Sequence, residues 1–271
     1  MLFNDLPLNP NLLKGIEDLG FTSPTPVQEA AILRLIIEDR DLIGLAQTGT
    51  GKTAAFGLPM IHRIDVKNKS VQGLVIAPTR ELCVQIAKDF KAFSKHMKGL
   101  SVATIYGGAS MDKQSREIKS GAQIVVATPG RLMDMIRRRM LKINKVSYAV
   151  LDEADEMLNM GFKEDIDGIL EHTPDEKLTW LFSATMPKEV AKISKYYMKD
   201  PIEITVGSKN VGAENIEHLY YNVPERERYN AVKRILDFHP NIYGLIFCRT
   251  RRTTQDIADK LLKEGYNAAP L

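Results

Sequence analysis

The chain has 271 residues, of which 44% are hydrophobic and 26% charged, and its formal net charge is +3. This length favours about two domains, and the composition is typical of a globular protein rather than a disordered, fibrous or disulfide-rich one. A charge so near balance neither requires nor excludes a nucleic-acid partner, so any basic surface must be local.

The cysteines, the histidines and the apolar runs further limit the class of protein. Cys83 and Cys248 are far apart and form no C-x-x-C, which favours buried thiols in a reducing compartment. The five histidines lack ligand spacing, so zinc is not expected. No apolar run approaches the roughly 18 residues of a membrane span, and the N-terminus does not resemble a signal peptide. We therefore expect a cytoplasmic protein with no membrane partner.

Short β-rich runs alternate with helical stretches. The runs lie at 42–46, 74–77, 102–106, 124–127, 148–151, 180–182 and 202–206. This alternation predicts βαβ units and an α/β fold, with a mostly parallel sheet covered by helices. Nearly every run ends in glycine, proline, a hydroxyl residue or a charged residue, and in a parallel sheet these ends converge on one edge.

A polar, glycine-containing segment at 207–215 is typical of a linker, so we predict a first domain at 1–206. Beyond the linker we predict a strand near 216–223, a helix near 225–238, a strand at 243–248 and a helix near 253–264. Two strands and two helices are too few for a complete α/β domain, so the second domain, 216–271, is expected to be truncated.

Residues 46–53 read AQTGTGKT after the first predicted strand. They match a P-loop except at the first position, where Ala46 replaces glycine. Gly49 and Gly51 would let backbone N–H groups approach phosphate oxygens. Lys52 could reach the β- and γ-phosphates, and Thr53 could offer its hydroxyl to Mg²⁺. The alternative is a turn rich in glycine and threonine that happens to end in lysine.

Residues 152–155 read DEAD directly after the apolar run at 148–151. At the carboxyl edge of a sheet, Asp152 could hold a hydrated Mg²⁺, and Glu153 could orient or deprotonate a water. The alternative is helix capping, because acidic side chains suit free N–H groups and the positive end of a helix. The P-loop upstream favours the Mg²⁺ interpretation.

With these motifs and several more, nearly the whole chain resembles the DEAD-box family of ATP-dependent RNA helicases. In order, the motifs are GFTSPTPVQ at 20–28, AQTGTGKT at 46–53, PTREL at 78–82, GG at 107–108, TPGR at 128–131, DEAD at 152–155, SAT at 183–185 and LIFCRT at 245–250. The resemblance implies a RecA-like P-loop domain with a parallel sheet flanked by helices, followed by an incomplete second RecA-like domain.

The resemblance implies an ATP site. Residues 20–28 resemble the family's Q motif, in which the Gln28 amide complements N6 and N7 of adenine. The alternative for Gln28 is an ordinary surface glutamine at a helix start. Phe3 matches an aromatic residue that stacks near the base, with a hydrophobic anchor as its alternative. The implied nucleotide-binding residues are Phe3, Phe21, Thr25, Gln28, Thr48, Gly49, Thr50, Gly51, Lys52 and Thr53.

The resemblance also implies catalytic roles for Lys52, Asp152 and Glu153. Thr53 and Asp152 would hold Mg²⁺, largely through water, and Glu153 would activate the attacking water.

A third implied group couples hydrolysis to domain movement. It comprises Asp155, Ser183 and Thr185. For the two hydroxyl residues, the alternative is an ST-turn that caps the helix starting near Pro187.

RNA is the implied partner, bound through its sugar–phosphate backbone and therefore without sequence selectivity. Arg80 and Arg131 can pair with phosphates. The glycines can leave N–H groups open, although each could instead mark a turn with positive φ. The implied RNA-binding residues are Pro78, Thr79, Arg80, Gly107, Gly108, Thr128, Gly130, Arg131, Arg249 and Thr250. We expect the basic run at 137–139 to be a solvated helical face instead.

The expected function is RNA-stimulated ATP hydrolysis coupled to local duplex unwinding by a monomeric core. An RNA clamp or chaperone with little turnover, and another kind of P-loop nucleic-acid ATPase, remain open. In the family, later motifs supply an arginine finger and would lie beyond Leu271. We therefore expect this chain alone to bind nucleotide, hydrolyse little and unwind no RNA.

Overall fold

The computed structural model describes residues 1–207, 217 and 219–271. The chain divides into two compact units, Met1–Val211 and Gly212–Leu271. Their boundary falls inside the segment predicted as a linker at 207–215, most of which (208–215) lies outside the described residues, so the linker stays a prediction.

In the described part of the first unit, residues 1–207, seven strands form one parallel sheet. They are β1 (Leu42–Leu45), β2 (Gly73–Ile76), β3 (Val102–Ile105), β4 (Ile124–Ala127), β5 (Tyr148–Asp152), β6 (Leu178–Ser183) and β7 (Ile202–Thr205). Their order is β3-β4-β2-β5-β6-β1-β7, and every neighbouring pair is parallel. The predicted α/β fold is confirmed, and each strand predicted before residue 207 is present with small shifts at its ends.

Helices connect and cover these strands. They are α1 (Pro10–Asp18), α2 (Pro26–Ile37), α3 (Lys52–Arg63), α4 (Arg80–Phe93), α5 (Met111–Lys119), α6 (Pro129–Arg137), α7 (Ala154–Asn159), α8 (Lys163–Glu171) and α9 (Lys188–Tyr197). Local sequence explains several starts. Proline occupies the first turn of α1, α2 and α6, where its missing N–H costs no hydrogen bond. The side chains of Asn9, Thr79 and Ser110 cap α1, α4 and α5.

Two hydrophobic cores lie on opposite faces of the sheet. Along β2, Val75 belongs to the core that includes residues of α1 to α4, whereas Leu74 and Ile76 belong to the core that includes residues of α5 to α9. All four residues of β2 are buried because helices cover both faces. This double coverage leaves the two edges where strands begin and end as the places for polar groups.

Polar side chains brace the amino edge of the sheet. Asp41, just before β1, accepts hydrogen bonds from the backbone N–H groups of Thr179 and Lys199 and so ties the start of β1 to the start of β6 and to the segment before β7. The fully buried Gln123 donates to the carbonyls of Val66 and Gly99, each at 3.0 Å. These contacts satisfy loop groups that burial would otherwise leave unpaired.

The second unit contains α10 (Arg228–Phe238) and α11 (Arg251–Lys263). The Glu264 carboxylate pairs with Lys233 at 2.5 Å and accepts a hydrogen bond from the Tyr229 hydroxyl at 3.0 Å. Both predicted helices are confirmed.

The strands predicted for the second unit were wrong where the structure describes them. Residues 243–248 form no strand, and neither do 217 and 219–223, while 216 and 218 lie outside the described residues. Periodicity and apolar content suit a strand, but a strand exists only through hydrogen bonds to a neighbouring strand. The described part of this unit provides no such neighbour, so Tyr243 and Phe247 remain exposed.

Among the described residues, no helix combines the length and apolar character needed to cross a membrane.

Candidate nucleotide and nucleic-acid site

The candidate site residues of the first unit gather at the carboxyl edge of the sheet. The P-loop (residues 46–53) follows β1, the DEAD segment begins at the end of β5, and the SAT segment begins at the end of β6. Because β6 pairs with both β1 and β5, these three segments leave the sheet side by side. The adjacency follows from strand order and not from distance along the chain.

The P-loop holds its lysine in place. Gly51, at φ +92°, precedes Lys52, the first residue of α3. Lys52 is 6% exposed, and its ammonium donates a hydrogen bond to the Ala46 carbonyl at 3.0 Å. The loop therefore closes on itself through its own first residue, and a positive charge lies at the helix N-terminus, where anions bind.

The predicted adenine-reading loop (residues 20–28) is hydrogen-bonded to the P-loop. The Thr25 hydroxyl donates to the Thr50 carbonyl at 2.8 Å, and Gln28 Nε2 donates to the Gly51 carbonyl at 3.0 Å. Gln28 Oε1 accepts from the Thr25 N–H at 3.0 Å. Gln28 is 6% exposed, so it is not the ordinary surface glutamine that the sequence left open.

Gly51 is required by this contact as well as by its positive φ. A Cβ atom at Gly51 would lie 2.3 Å from Gln28 Nε2. The glycine that the phosphate pattern demands is therefore also the glycine on which the Gln28 amide packs. The sequence did not reveal this link, because nothing in either motif encodes the distance between them.

The two candidate stacking residues differ in exposure. Phe3 is 3% exposed and belongs to a hydrophobic core, and its N–H donates to the Thr22 carbonyl at 3.2 Å. This burial favours the hydrophobic-anchor interpretation of Phe3 and leaves little ring surface for a base. Phe21 is 46% exposed.

Asp152 ends β5 as a buried carboxyl group with 3% exposure. Burial raises the pKa of Asp152 to about 7, against the opposing attraction of the Lys52 ammonium and with added repulsion from Glu153. A group with this pKa releases its proton near neutrality, and a cation placed beside it would favour that release.

Glu153 has the left-handed conformation, with φ +52°, at the residue before α7. This conformation costs roughly 1–2 kcal/mol for a residue other than glycine. The Glu153 side chain makes no capping hydrogen bond, which counts against the capping interpretation. Burial also raises the pKa of Glu153, an effect that the Lys52 ammonium opposes.

Asp155 connects the DEAD segment to the SAT segment. Its carboxylate accepts hydrogen bonds from the Thr185 N–H at 2.9 Å and the Thr185 hydroxyl at 2.7 Å, and the Asp155 N–H donates to Ser183 Oγ at 3.3 Å. Burial raises the pKa of Asp155, but the hydrogen bonds from Thr185 and Ser183 outweigh burial and hold it below its ordinary value. The Thr185 hydroxyl is thus bonded to Asp155 instead of capping α9.

Arg80 and Thr79 begin α4 at the same edge. The Thr79 hydroxyl accepts from the Leu82 N–H at 3.2 Å, so it acts as the helix cap. The exposed Arg80 guanidinium lies over the Tyr106 ring, 4.8 Å from its centroid. Pro78 is buried, so it supports this turn from inside the protein.

The Gly107-Gly108 pair lies in a loop that we call the glycine loop (residues 106–110). Gln114 Nε2 donates to the Tyr106 carbonyl at 3.1 Å, and Arg131 Nη1 donates to the Ala109 carbonyl at 3.0 Å. Sequence reasoning missed Tyr106 and Gln114. Their only signal was their position beside the glycines, and both residue types are common in unrelated contexts.

The remaining predicted RNA-binding residues fall in two places. Thr128 and Gly130 lie at the start of α6, and the Thr128 side chain makes no capping hydrogen bond. Thr250 caps α11 in the second unit, where it accepts from the Thr253 N–H at 3.1 Å, and Arg249 is exposed. The roles of all four residues in RNA binding stay predictions.

The basic run at 137–139 is exposed at the end of α6. Within it, the Arg138 guanidinium pairs with Asp134 one turn earlier, at 2.7 Å. This arrangement is typical of the solvated helical face that we expected.

A family model described as DEAD/DEAH box helicase matches residues 25–193. The match spans the Thr25–Gln28 contact, the P-loop, the DEAD segment and Thr185. The chain belongs to the DEAD/DEAH box helicase family.

Curated relatives carry names consistent with this family. The chain is 44% identical over 269 residues to "ATP-dependent RNA helicase DeaD" of Mycobacterium tuberculosis, covering 99% of this chain and 47% of the relative. It is 45% identical over 268 residues to "ATP-dependent RNA helicase CshA" of Listeria monocytogenes, covering 98% of this chain and 51% of the relative. The chain thus spans about half the length of the curated relatives it matches.

A solved structure shares the fold of this DEAD/DEAH box chain. The crystal structure of a DEAD box protein from the hyperthermophile Methanococcus jannaschii is 40% identical, with a TM-score of 0.73. The match covers all of this chain and 72% of that protein.

The Asp152 environment yields a prediction about stability. The folded pKa of about 7 lies above the ordinary 3.8, so the folded state binds the Asp152 proton more tightly than the unfolded chain does. Stability from this group is therefore full below about pH 4 and is lost as the pH rises towards 7. Asp152→Asn should make the ligand-free protein more stable than the parent by roughly 1–3 kcal/mol at pH 8, and by less at pH 5.

Thermal or urea unfolding at both pH values measures this difference. Asp134→Asn is the control, because it makes the same substitution at a partly exposed carboxyl beside Arg138. A stabilisation by Asp152→Asn that is equal at pH 5 and pH 8 would contradict the prediction.

Proposed function

We propose that this chain forms the ATP-binding part of an ATP-dependent RNA helicase that unwinds short RNA duplexes without sequence selectivity. The observation that carries the proposal is the pair of hydrogen bonds from Thr25 and Gln28 to the P-loop, because it joins an adenine-reading loop to a phosphate-binding loop. The names of the relatives support RNA as the nucleic acid. We further propose a cytoplasmic, monomeric core; the two free cysteines support a reducing compartment.

The residues at the carboxyl edge fit a nucleoside triphosphate with Mg²⁺. Gly49 is exposed at φ +78°, and a Cβ there would meet no atom within 4 Å, so there is open space for a phosphate on that side of the loop. Lys52 supplies a buried positive charge, and Thr53 and Asp152 supply the oxygen ligands that Mg²⁺ prefers. Bound there, largely through water, Mg²⁺ would neutralise charge that develops on the phosphate oxygens.

The protein's own side chains would bind the phosphate, accept the proton of the attacking water and transmit the change. Lys52 would exchange its bond to the Ala46 carbonyl for one to a phosphate oxygen. Glu153 would accept a proton from the attacking water at a carboxylate oxygen, and its raised pKa makes it a stronger base than an ordinary glutamate. Asp155 and Thr185 would pass a change at the site to the segment that leads into α9.

The energy available from ATP limits the unwinding to a local event. Binding at micromolar affinity contributes about 8 kcal/mol, and separating a base-pair step costs about 1.4 kcal/mol, judging from DNA stacking. One ATP therefore offsets roughly five base pairs at most.

Nucleotide choice tests the role of Gln28. The parent chain should bind ATP more tightly than GTP, because the second hydrogen of Nε2 and the second lone pair of Oε1 remain for N7 and N6 of adenine. Gln28→Leu should weaken ATP binding roughly tenfold and reduce the preference over GTP, since a buried leucine offers neither group. Isothermal titration calorimetry measures both affinities. Gln123→Leu, a buried glutamine at the other edge, should keep the preference, and equal ATP and GTP binding by the parent would contradict the assignment.

Hydrolysis tests the role of Glu153. Glu153→Gln should keep ATP affinity within about twofold and lower RNA-stimulated hydrolysis at least a hundredfold, because an amide cannot accept the water's proton. Single-turnover assays with labelled ATP measure the hydrolysis rate. Glu156→Gln, an exposed neighbour, should hydrolyse ATP at the parent rate. An unchanged rate in Glu153→Gln would remove Glu153 as the base.

Salt dependence tests the role of Arg80. The logarithm of RNA affinity falls as the logarithm of salt concentration rises. If Arg80 neutralises one phosphate of single-stranded RNA, Arg80→Met should make this negative slope shallower by about 0.7. Arg137→Met, on the solvated face, should leave the slope unchanged. Fluorescence anisotropy with a labelled RNA, and with DNA of the same sequence, gives the slopes. Equal slopes for both variants would contradict a phosphate contact by Arg80, and tighter binding of the DNA would contradict RNA as the partner.

A further inference from the structure

The glycine loop is held from two sides by side chains of different helices. Gln114, on α5, bonds the Tyr106 carbonyl, and Arg131, on α6, bonds the Ala109 carbonyl. These carbonyls flank the Gly107-Gly108 pair. Two separate helices therefore fix the loop immediately before and after its two most flexible residues.

The two holding side chains also contact each other. Arg131 Nη1 lies 3.4 Å from Gln114 Oε1. Gln114 is only 5% exposed, although it lies on a polar helix beside a surface loop. A buried amide is retained at low cost only where its hydrogen bonds are made, and here both of its polar atoms are used by the loop and by Arg131.

The outer side of the glycine loop is open. Gly107 and Gly108 are exposed, and a Cβ at Gly107 would meet no atom within 4 Å. The nearest side chain to the Gly108 position is Arg80, whose Nη1 lies 3.9 Å from a Cβ built there. The loop thus presents its backbone to solvent next to a cation, while its inner carbonyls are bonded to the protein.

We propose that Gln114 and Arg131 form a brace that keeps the Gly107-Gly108 peptides ready to bind the RNA backbone, and that Gln114 is a positioning residue for RNA. This inference rests on the proposed RNA-binding function. A free diglycine loop would have to be ordered at each binding event, and the brace removes most of that entropic cost. Gln114 itself carries no charge and does not need to touch RNA.

The first test replaces the brace residue with an apolar side chain of similar volume. Gln114→Met should weaken single-stranded RNA binding about threefold to tenfold and leave the ATP dissociation constant unchanged. In the absence of RNA, amide hydrogen exchange at residues 107–110 should be faster in Gln114→Met than in the parent chain. Both measurements use the 271-residue chain, with anisotropy for RNA and mass spectrometry for exchange.

A matched control separates positioning from general destabilisation. Gln123→Met removes a fully buried glutamine that braces loops at the amino edge of the same sheet. It should lower the melting temperature at least as much as Gln114→Met but leave RNA affinity and exchange at 107–110 unchanged. Equal loss of RNA affinity in both variants would overturn the specific role of Gln114.

A double-mutant cycle tests whether the two side chains act together. In an Arg131→Met background, adding Gln114→Met should change the RNA dissociation constant by less than twofold, because the brace is already broken. A full additive loss would show that Gln114 acts independently of Arg131 and would overturn the brace.

The outcomes distinguish the brace from the proposed function. If the parent binds RNA while Gln114→Met binds it equally well with unchanged exchange, the brace is wrong and RNA binding stands. If the parent binds no RNA, the proposed function fails and the RNA role of the brace fails with it. In that case, faster exchange in Gln114→Met would still show that the loop itself is held as described.

Discussion

The parallel direction of all seven strands is the constraint on which the rest of the first unit depends. Parallel neighbours require a crossover between every two strands, so helices cover both faces and exclude polar groups from them. All seven strands also end at the same edge. Segments that are a hundred residues apart, such as the P-loop and the DEAD segment, leave the sheet side by side there. The common direction of the strands thus brings the motif segments together at one edge, whatever side chains they carry.

Three features of the charged residues at that edge lower the stability of the ligand-free protein. Asp152 is buried with a raised pKa, Glu153 has a left-handed backbone, and Lys52 is a buried ammonium bonded to a carbonyl. Each feature costs free energy in the ligand-free protein. The hydrophobic cores on both faces can offset these costs, and a phosphate ligand with its cation would relieve them. This is the usual relation between a preorganised site and the stability of its scaffold.

Hydrogen bonds between motifs connect segments that are far apart in the chain. Gln28 contacts the P-loop, Asp155 contacts Thr185, and Arg131 contacts the glycine loop. In each pair one member lies on a helix fixed by a core and the other on a loop. If the chain binds a nucleotide as we propose, the Asp155–Thr185 hydrogen bonds would carry a change there to the SAT segment. The surface proposed for RNA has its own support from α5 and α6.

The sequence by itself determined the seven strands of the first unit, the α/β class and the residue types of the motifs, because apolar periodicity and residue type are local properties. It could not determine which groups meet. The bond from Gln28 to Gly51, the burial of Phe3 and the position of Gln114 depend on distances between segments, and only packing sets those distances. The strand predicted at 243–248 was wrong for the same reason: its residues suit a strand, but strand formation needs a neighbour. Tertiary structure decided these points because a hydrogen bond or a buried ring depends on both partners, and a local pattern describes only one.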